Sequence, residues 1–297
     1  MPQVSANGVT IEYESFGAAT DPVVLMIMGL GAQLTRWPVP LCQMLVSRGF
    51  RVIRFDNRDI GLSTKFDDVP VPMIATIFAA RMAGLPPPVP YTLHDMAADT
   101  VGLMDALDIG KAHIVGASMG GMIAHLVAAD YPQRVLSLTS IMSTSGNLAL
   151  PPPTPAAAAL LVARPPHPSD IEAYVKHALN NMRVLGSPAA PIDEARARER
   201  IIADVRRSYS PTGYGRQLAA VTATGDRSAS LRRIKAPTVV VHGADDPLVP
   251  LAAGRHCAEL IPGAELRIVA GMGHDIPPMF FGTIVDAIVS AAQRAAA

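Results

Sequence analysis

Ser118 is the residue in this chain best set up to do chemistry. It stands in Val115-Gly116-Ala117-Ser118-Met119-Gly120-Gly121, where a short apolar run from Lys111 to Val115 gives way to a helical pattern from Met119 to Ala128. A serine between glycines at a strand-to-helix turn reads as a nucleophile elbow. The backbone there is strained, Oγ points away from the sheet, and the glycines leave no Cβ to collide with strand or helix. A serine hydroxyl is a weak nucleophile at neutral pH. Ser118 therefore needs a histidine to take its proton, and that histidine needs an acid to orient it.

Chain order narrows the choice of partners, because in elbow-type sites the acid follows a later strand and the base lies nearer the C-terminus. Of eight histidines, only His256 and His274 lie beyond the acidic loop Gly243-Ala244-Asp245-Asp246-Pro247-Leu248-Val249-Pro250. His256 falls inside a helical pattern, which suits a surface or core role. His274 ends Ala270-Gly271-Met272-Gly273-His274, a glycine-loosened loop directly after a strand, from which the ring can reach across the top of the sheet. The acidic loop offers two adjacent carboxylates, Asp245 and Asp246. One can face the imidazole, and aspartates in turns otherwise bond their own backbone. Acyl transfer also needs backbone donors where the tetrahedral oxyanion forms. The N–H of Met119, directly after the nucleophile, is one. The N–H of Leu30, in the loop Met28-Gly29-Leu30-Gly31 after the first central strand, is the other.

The elements that must hold these residues alternate along the chain. Asn7-Gly8 between two alternating apolar and polar runs predicts a hairpin. Residues 22–28 form a continuous apolar run that reads as a strand covered on both faces, residues 51–56, 111–116, 135–142, 236–242 and 265–269 read as further strands, and helical patterns separate most of them. That order implies right-handed crossovers and a mainly parallel sheet. A helix is expected over residues 34–49, and another from Thr92 to Leu107, with Asp95 close to completing a capping box. The polar loop Asp56-Asn57-Arg58-Asp59-Ile60-Gly61-Leu62-Ser63 is expected to be structural, its Asp and Arg side chains pairing to hold loops at the sheet edge. Residues 147–233 break the alternation with proline clusters and helical patterns, clearest at 170–185 and 192–209, and carry a charge run at 193–200 that reads as a solvated face.

Composition excludes several classes of function. Lys and Arg number 25 and so do Asp and Glu, which gives no electrostatic case for nucleic acid or an anionic membrane. The first residues lack a secretory pattern, and no apolar run approaches the roughly 18 residues a spanning helix needs. Cys42 and Cys257 fall within helical patterns and are expected to be free, buried thiols, which fits a cytoplasmic protein.

Five signals in order make the chain resemble the α/β-hydrolase superfamily over nearly its whole length. They are Met28-Gly29-Leu30-Gly31, Asp56 to Ser63, Gly116-Ala117-Ser118-Met119-Gly120, Asp246-Pro247-Leu248-Val249-Pro250, and Gly271-Met272-Gly273-His274. Within it the motifs are most similar to carboxylesterases of the aclacinomycin methylesterase type. The resemblance implies an α/β fold with a mostly parallel central sheet, helices on both faces and an inserted helical cap. The core is then 1–146 with 234–297, and the cap 147–233. It also implies ester hydrolysis through an acyl-enzyme, by Ser118, Asp246 and His274 with the Leu30 and Met119 donors. Asp246 rather than Asp245 fits the family's Gly-x-x-Asp-x-x-x-Pro spacing. No cofactor or metal is required, the partner is a small-molecule ester, and the oligomeric state is left open. Apolar segments at 73–82, 156–162 and 276–281 are expected to line the pocket and to select apolar, uncharged esters of small to medium size. The other readings are a cofactor-free haloperoxidase or perhydrolase using the same three residues, and a non-catalytic ligand-binding protein on this fold.

Overall fold

A computed structural model describes residues 2–296. Eight strands form one sheet: β1 (Gln3–Ala6), β2 (Val9–Phe16), β3 (Val23–Ile27), β4 (Arg51–Phe55), β5 (Ala112–Ala117), β6 (Val135–Ile141), β7 (Thr238–Gly243) and β8 (Glu265–Val269). Their order across the sheet is β1-β2-β4-β3-β5-β6-β7-β8. β1 and β2 pair antiparallel, as do β2 and β4, while every pair from β4 to β8 is parallel. The β1–β2 hairpin turns on Asn7 and Gly8, both at positive φ, as a two-residue turn matched to strand twist requires.

Alternate residues of the central strands feed two separate cores. Val23, Leu25 and Ile27 of β3 face a cluster built with α3 (Leu93–Ala106), α4 (Met119–Asp130) and α10 (Leu251–Leu260). Val24 and Met26 face the other, built with α1 (Val39–Val46) and α11 (Phe281–Ala296). Helices on both faces explain why β3, VVLMI, is a continuous apolar run. α3 starts as expected, with Asp95 Oδ2 accepting the Thr92 N–H at 2.7 Å.

Between β6 and β7 the described chain carries helices and no strand: α5 (Pro155–Val162), α6 (Ile171–Leu185), α7 (Glu194–Arg207), α8 (Pro211–Thr224) and α9 (Ser228–Leu231). The two ends of this segment touch. A Cβ on Gly146 would sit 2.4 Å from the Gly225 carbonyl oxygen, and Arg227 donates to Ser145 O from its backbone and to Thr144 O from its side chain, each at 2.8 Å. α2 (Ile74–Met82) packs against α8.

Two expectations need correction. The helix over residues 34–49 is a single 3-10 turn, Leu34–Arg36, followed by α1, because Pro38 pushes Trp37 into extended backbone and breaks the helix between them. Phe280 and Phe281, expected in a pocket wall, belong to the core under α11. No helix among the described residues is long and apolar enough to cross a membrane.

Candidate active site

The site sits at the C-terminal ends of β5, β7 and β8, next to the loop that follows β3. Ser118 leaves β5 at φ 56° and ψ −121°, a left-handed conformation a serine rarely adopts, and α4 begins at the next residue. The turn is this sharp because strand and helix are in near contact. A Cβ on Gly116 would lie 2.2 Å from Gly120 O, and one on Gly120 would lie 2.1 Å from Ile27 O. The Ser118 N–H continues the ladder to Ile141 O at 2.9 Å, and Ser143 Oγ donates to Ser118 O at 2.8 Å.

His274 Nε2 is 2.9 Å from Ser118 Oγ, and His274 Nδ1 is 2.7 Å from Asp246 Oδ2. A carboxylate only accepts, so Nδ1 carries the proton and Nε2 presents its lone pair to the serine hydroxyl. Asp246 has a fully buried side chain, and its Oδ1 accepts the N–H groups of Leu248 and Val249 at 2.9 and 2.8 Å. Asp245 points away and takes the Gly271 N–H at 2.9 Å. Behind Asp246, the buried His242 donates from Nε2 to Val249 O at 2.7 Å and closes the same turn; burial holds its imidazole below the ordinary histidine range. His256 bonds Ser145 Oγ at 2.9 Å, as a structural histidine does.

Met119 is the first residue of α4, so its N–H has no partner inside the helix. Leu30 follows Gly29, where a Cβ would stand 3.2 Å from Ser118 Cβ and 3.6 Å from its Oγ. The Gly29–Leu30 backbone thus lies directly over the serine. The loop is anchored at its start by Asn57 Nδ2 donating to Met28 O at 2.9 Å, and at its end by Asp56 Oδ1 accepting the Leu34 N–H at 2.7 Å.

The polar loop after β4 is structural, as expected, but its partners come from elsewhere in the chain. Arg58 pairs with Asp99 of α3. Asp59 pairs at 2.7 Å with Arg216 of α8, both side chains fully buried, and Asp56 pairs at 2.7 Å with Arg207 of α7. Burial pulls the Asp59 carboxyl up, but bonds from Arg216, the Phe66 N–H and Tyr91 together hold it below the usual carboxylate range. The inserted helices also grip the histidine loop. Leu185 O accepts the His274 N–H at 2.7 Å, and Ser187 Oγ accepts the Gly273 N–H at 3.0 Å while donating to Asp275 Oδ1. Burial raises the Asp275 carboxyl above its ordinary range.

Reasoning from the sequence missed Arg207, Arg216, Gln217 and Ser187. One signal pointed to Arg216: it is the single charge in the otherwise small and apolar helix PTGYGRQLAAVTAT. Among the described residues, no group of three or more His, Cys, Asp or Glu side chains could hold a metal ion.

The chain matches the family described as alpha/beta hydrolase fold over residues 22–278. Rhodomycin D methylesterase DauP of Streptomyces sp. (strain C5) is 27% identical over 296 residues, 92% of each chain. RutD of Variovorax paradoxus (strain S110), named for carbamate hydrolysis, is 31% identical over 267 residues, 89% of each chain. The structure of the meta-cleavage product hydrolase CumD from Pseudomonas fluorescens IP01 superimposes with a TM-score of 0.77 at 21% identity, covering 99% of this chain and 98% of that one, a likeness of fold.

Proposed function

Because the chain belongs to the α/β-hydrolase family, and is a hydrolase, we propose that it is a serine carboxylesterase working through an acyl-enzyme. The observation that carries this reading is the hydrogen-bonded series from Ser118 Oγ through the His274 ring to Asp246, at 2.9 and 2.7 Å, on a backbone strained at the serine.

The geometry supports the following sequence of events. His274 Nε2 accepts the Ser118 proton as Oγ attacks the ester carbonyl, and Asp246 steadies the imidazolium that forms. The Met119 and Leu30 N–H groups take the oxyanion. Collapse of the tetrahedral adduct expels the alcohol, which takes its proton from His274. Water attacks the acyl-Ser118 by the same route and releases the acid.

Residues 147–233 act in this reading as a cap over a core made of 1–146 and 234–297. In this reading the apolar stretches at 73–82 and 156–162 wall the pocket and favour apolar, uncharged esters of small to medium size. An unpaired carboxylate there would cost several kcal/mol, whereas each buried methylene contributes about 0.8 kcal/mol. The methylesterase names of two relatives support a carboxylic ester as substrate.

A fluorophosphonate probe with mass mapping tests the reading, together with turnover of p-nitrophenyl esters and carbamates. The expected result is one adduct, on Ser118, ester turnover that exceeds carbamate turnover, and loss of both adduct and turnover in Ser118→Ala. Ester turnover that persists in Ser118→Ala would sink it.

A further inference from the structure

We propose that Gln217, on α8 of the inserted segment, is a positioning residue for the loop that carries the Leu30 N–H. This rests on the ester-hydrolase reading above. Gln217 is fully buried, its Oε1 accepts the Gly31 N–H at 2.9 Å, and its Nε2 donates to Arg58 O at 2.8 Å.

The loop needs such a clamp because of its own sequence. Leu30 stands between two glycines, and both are closely surrounded. A Cβ on Gly29 would crowd Ser118 at 3.2 Å, and one on Gly31 would strike the Tyr214 ring at 2.5 Å. Gly31 also sits at φ 68°. The Ala32 N–H bonds Gly29 O at 3.2 Å, which closes a four-residue turn with a left-handed glycine at its third position, the pattern of a type II turn. Turns of this shape interconvert with type I by rotating the central peptide, and that rotation reverses the Gly31 N–H. The peptide that turns joins Leu30 to Gly31, directly after the one that carries the Leu30 N–H, and the glycine at its far end opposes the rotation little. A donor aimed at an oxyanion has to hold a distance of about 3 Å without reorganising. Gln217 supplies the missing restraint by capturing the Gly31 N–H in one orientation.

Gln217 is itself fixed at both ends. Its amide bridges to the carbonyl of Arg58, and its neighbour Arg216 forms the buried pair with Asp59 at 2.7 Å. The consequence is that the inserted segment completes the stabilisation of the transition state, beyond enclosing the substrate.

The test uses the full chain with Gln217→Leu and Gln217→Glu. It measures kcat and KM on a p-nitrophenyl ester, inhibition by an alkyl boronic acid that forms a tetrahedral adduct on Ser118, the acid limb of the pH–rate profile, and Tm. Losing one oxyanion donor outright costs about 10²- to 10³-fold in kcat, so a loosened donor should cost about 10- to 100-fold. Gln217→Leu is therefore expected to lower kcat by that factor and boronate affinity in proportion, with KM within about threefold and the acid limb unmoved. A buried Glu stays neutral and can accept from Gly31 and donate to Arg58 O, so Gln217→Glu should recover to within about fivefold of wild type. If Gln217→Leu does not fold, Gln217→Asn, one methylene too short, is expected to show the same paired loss. Boronate affinity and kcat within twofold of wild type in Gln217→Leu, or in Gln217→Asn where it stands in, overturn the proposal, as does a rise in KM alone. Wild-type protein that neither hydrolyses esters nor takes the fluorophosphonate at Ser118 overturns the ester reading, and the clamp with it.

Discussion

Exchanging Asp246 for asparagine should cripple the enzyme while leaving the fold intact, and the hydrogen bonds explain why. Oδ1 of Asp246 is committed to the N–H groups of Leu248 and Val249, so in Asp246→Asn the amide oxygen must stay there and the NH2 must turn to His274. An NH2 can only donate. His274 Nδ1 must then give up its proton, the ring adopts the tautomer with Nε2–H, and Nε2 can no longer accept from Ser118. Two losses follow. The carboxylate that stabilised the imidazolium across about 4 Å is gone, worth about 4 kcal/mol at an effective dielectric of about 20. The unfavourable tautomer adds about 1–2 kcal/mol, the size of one misdirected hydrogen bond. The sum, about 5–6 kcal/mol, is a loss of about 10⁴-fold in kcat. The control is Asp245→Asn, whose amide oxygen can still take the Gly271 N–H and whose kcat should stay within about fivefold. Steady-state kinetics on a p-nitrophenyl ester, with Tm to show that both variants fold, decides between them. If Asp246→Asn kept more than a tenth of wild-type kcat, or if the Asp245 variant were the weaker enzyme, the orienting role of Asp246 would be refuted.

Three further predictions concern stability. Ser118→Gly relieves a left-handed serine, which costs about 1–3 kcal/mol, against about 0.4–1 kcal/mol of added chain entropy, so it should melt a degree or two above wild type and be inactive; a lower Tm would contradict the strain. His125 is fully buried beside Ser140 Oγ, and burial depresses its pKa to about 3, so it is neutral when folded. Its contribution is complete above the unfolded value of about 6.5 and is lost as pH falls through the window down to about 3, costing about 2 kcal/mol between pH 6.5 and 5. Urea unfolding at pH 7 and pH 5 should show that loss in wild type and a smaller one in His125→Gln; equal slopes would exclude His125 as its source. Arg216→Met leaves Asp59 buried without its cation and should destabilise by about 3–5 kcal/mol, largely restored by adding Asp59→Asn, and a double variant no better than the single one would show that the pair is not what holds α8.

β3 could be read from the sequence because a strand covered on both faces must be apolar throughout, and the other short runs rich in β-branched residues between helical patterns map to strands as well. Ser118, Asp246 and His274 were readable for a related reason. Each lies in a glycine- or proline-marked loop just beyond a strand, and a parallel sheet gathers such loops at one end. What was hidden depends on contacts between distant positions. Gln217 meets Gly31 across 186 residues and Arg216 meets Asp59 across 157, and no local pattern announces either pairing. Phe280 and Phe281 show the opposite failure, since apolar character next to a site does not say whether a side chain faces the ligand or the core.

The sewn-together ends of the inserted segment make it an exchangeable cassette. With Gly146 against Gly225 and Arg227 stitching the seam, the sheet sees almost the same short closure whatever lies between, so chain length and sequence there can drift at little cost to the core. If the segment caps the pocket as proposed, recombination that swaps this cassette among relatives is an open route to new substrate ranges, but a constrained one. A donor segment has to bring a counterion for Asp59, an acceptor for the Gly31 N–H and a carbonyl for the His274 N–H, or the chimera will fold around a nucleophile it cannot use.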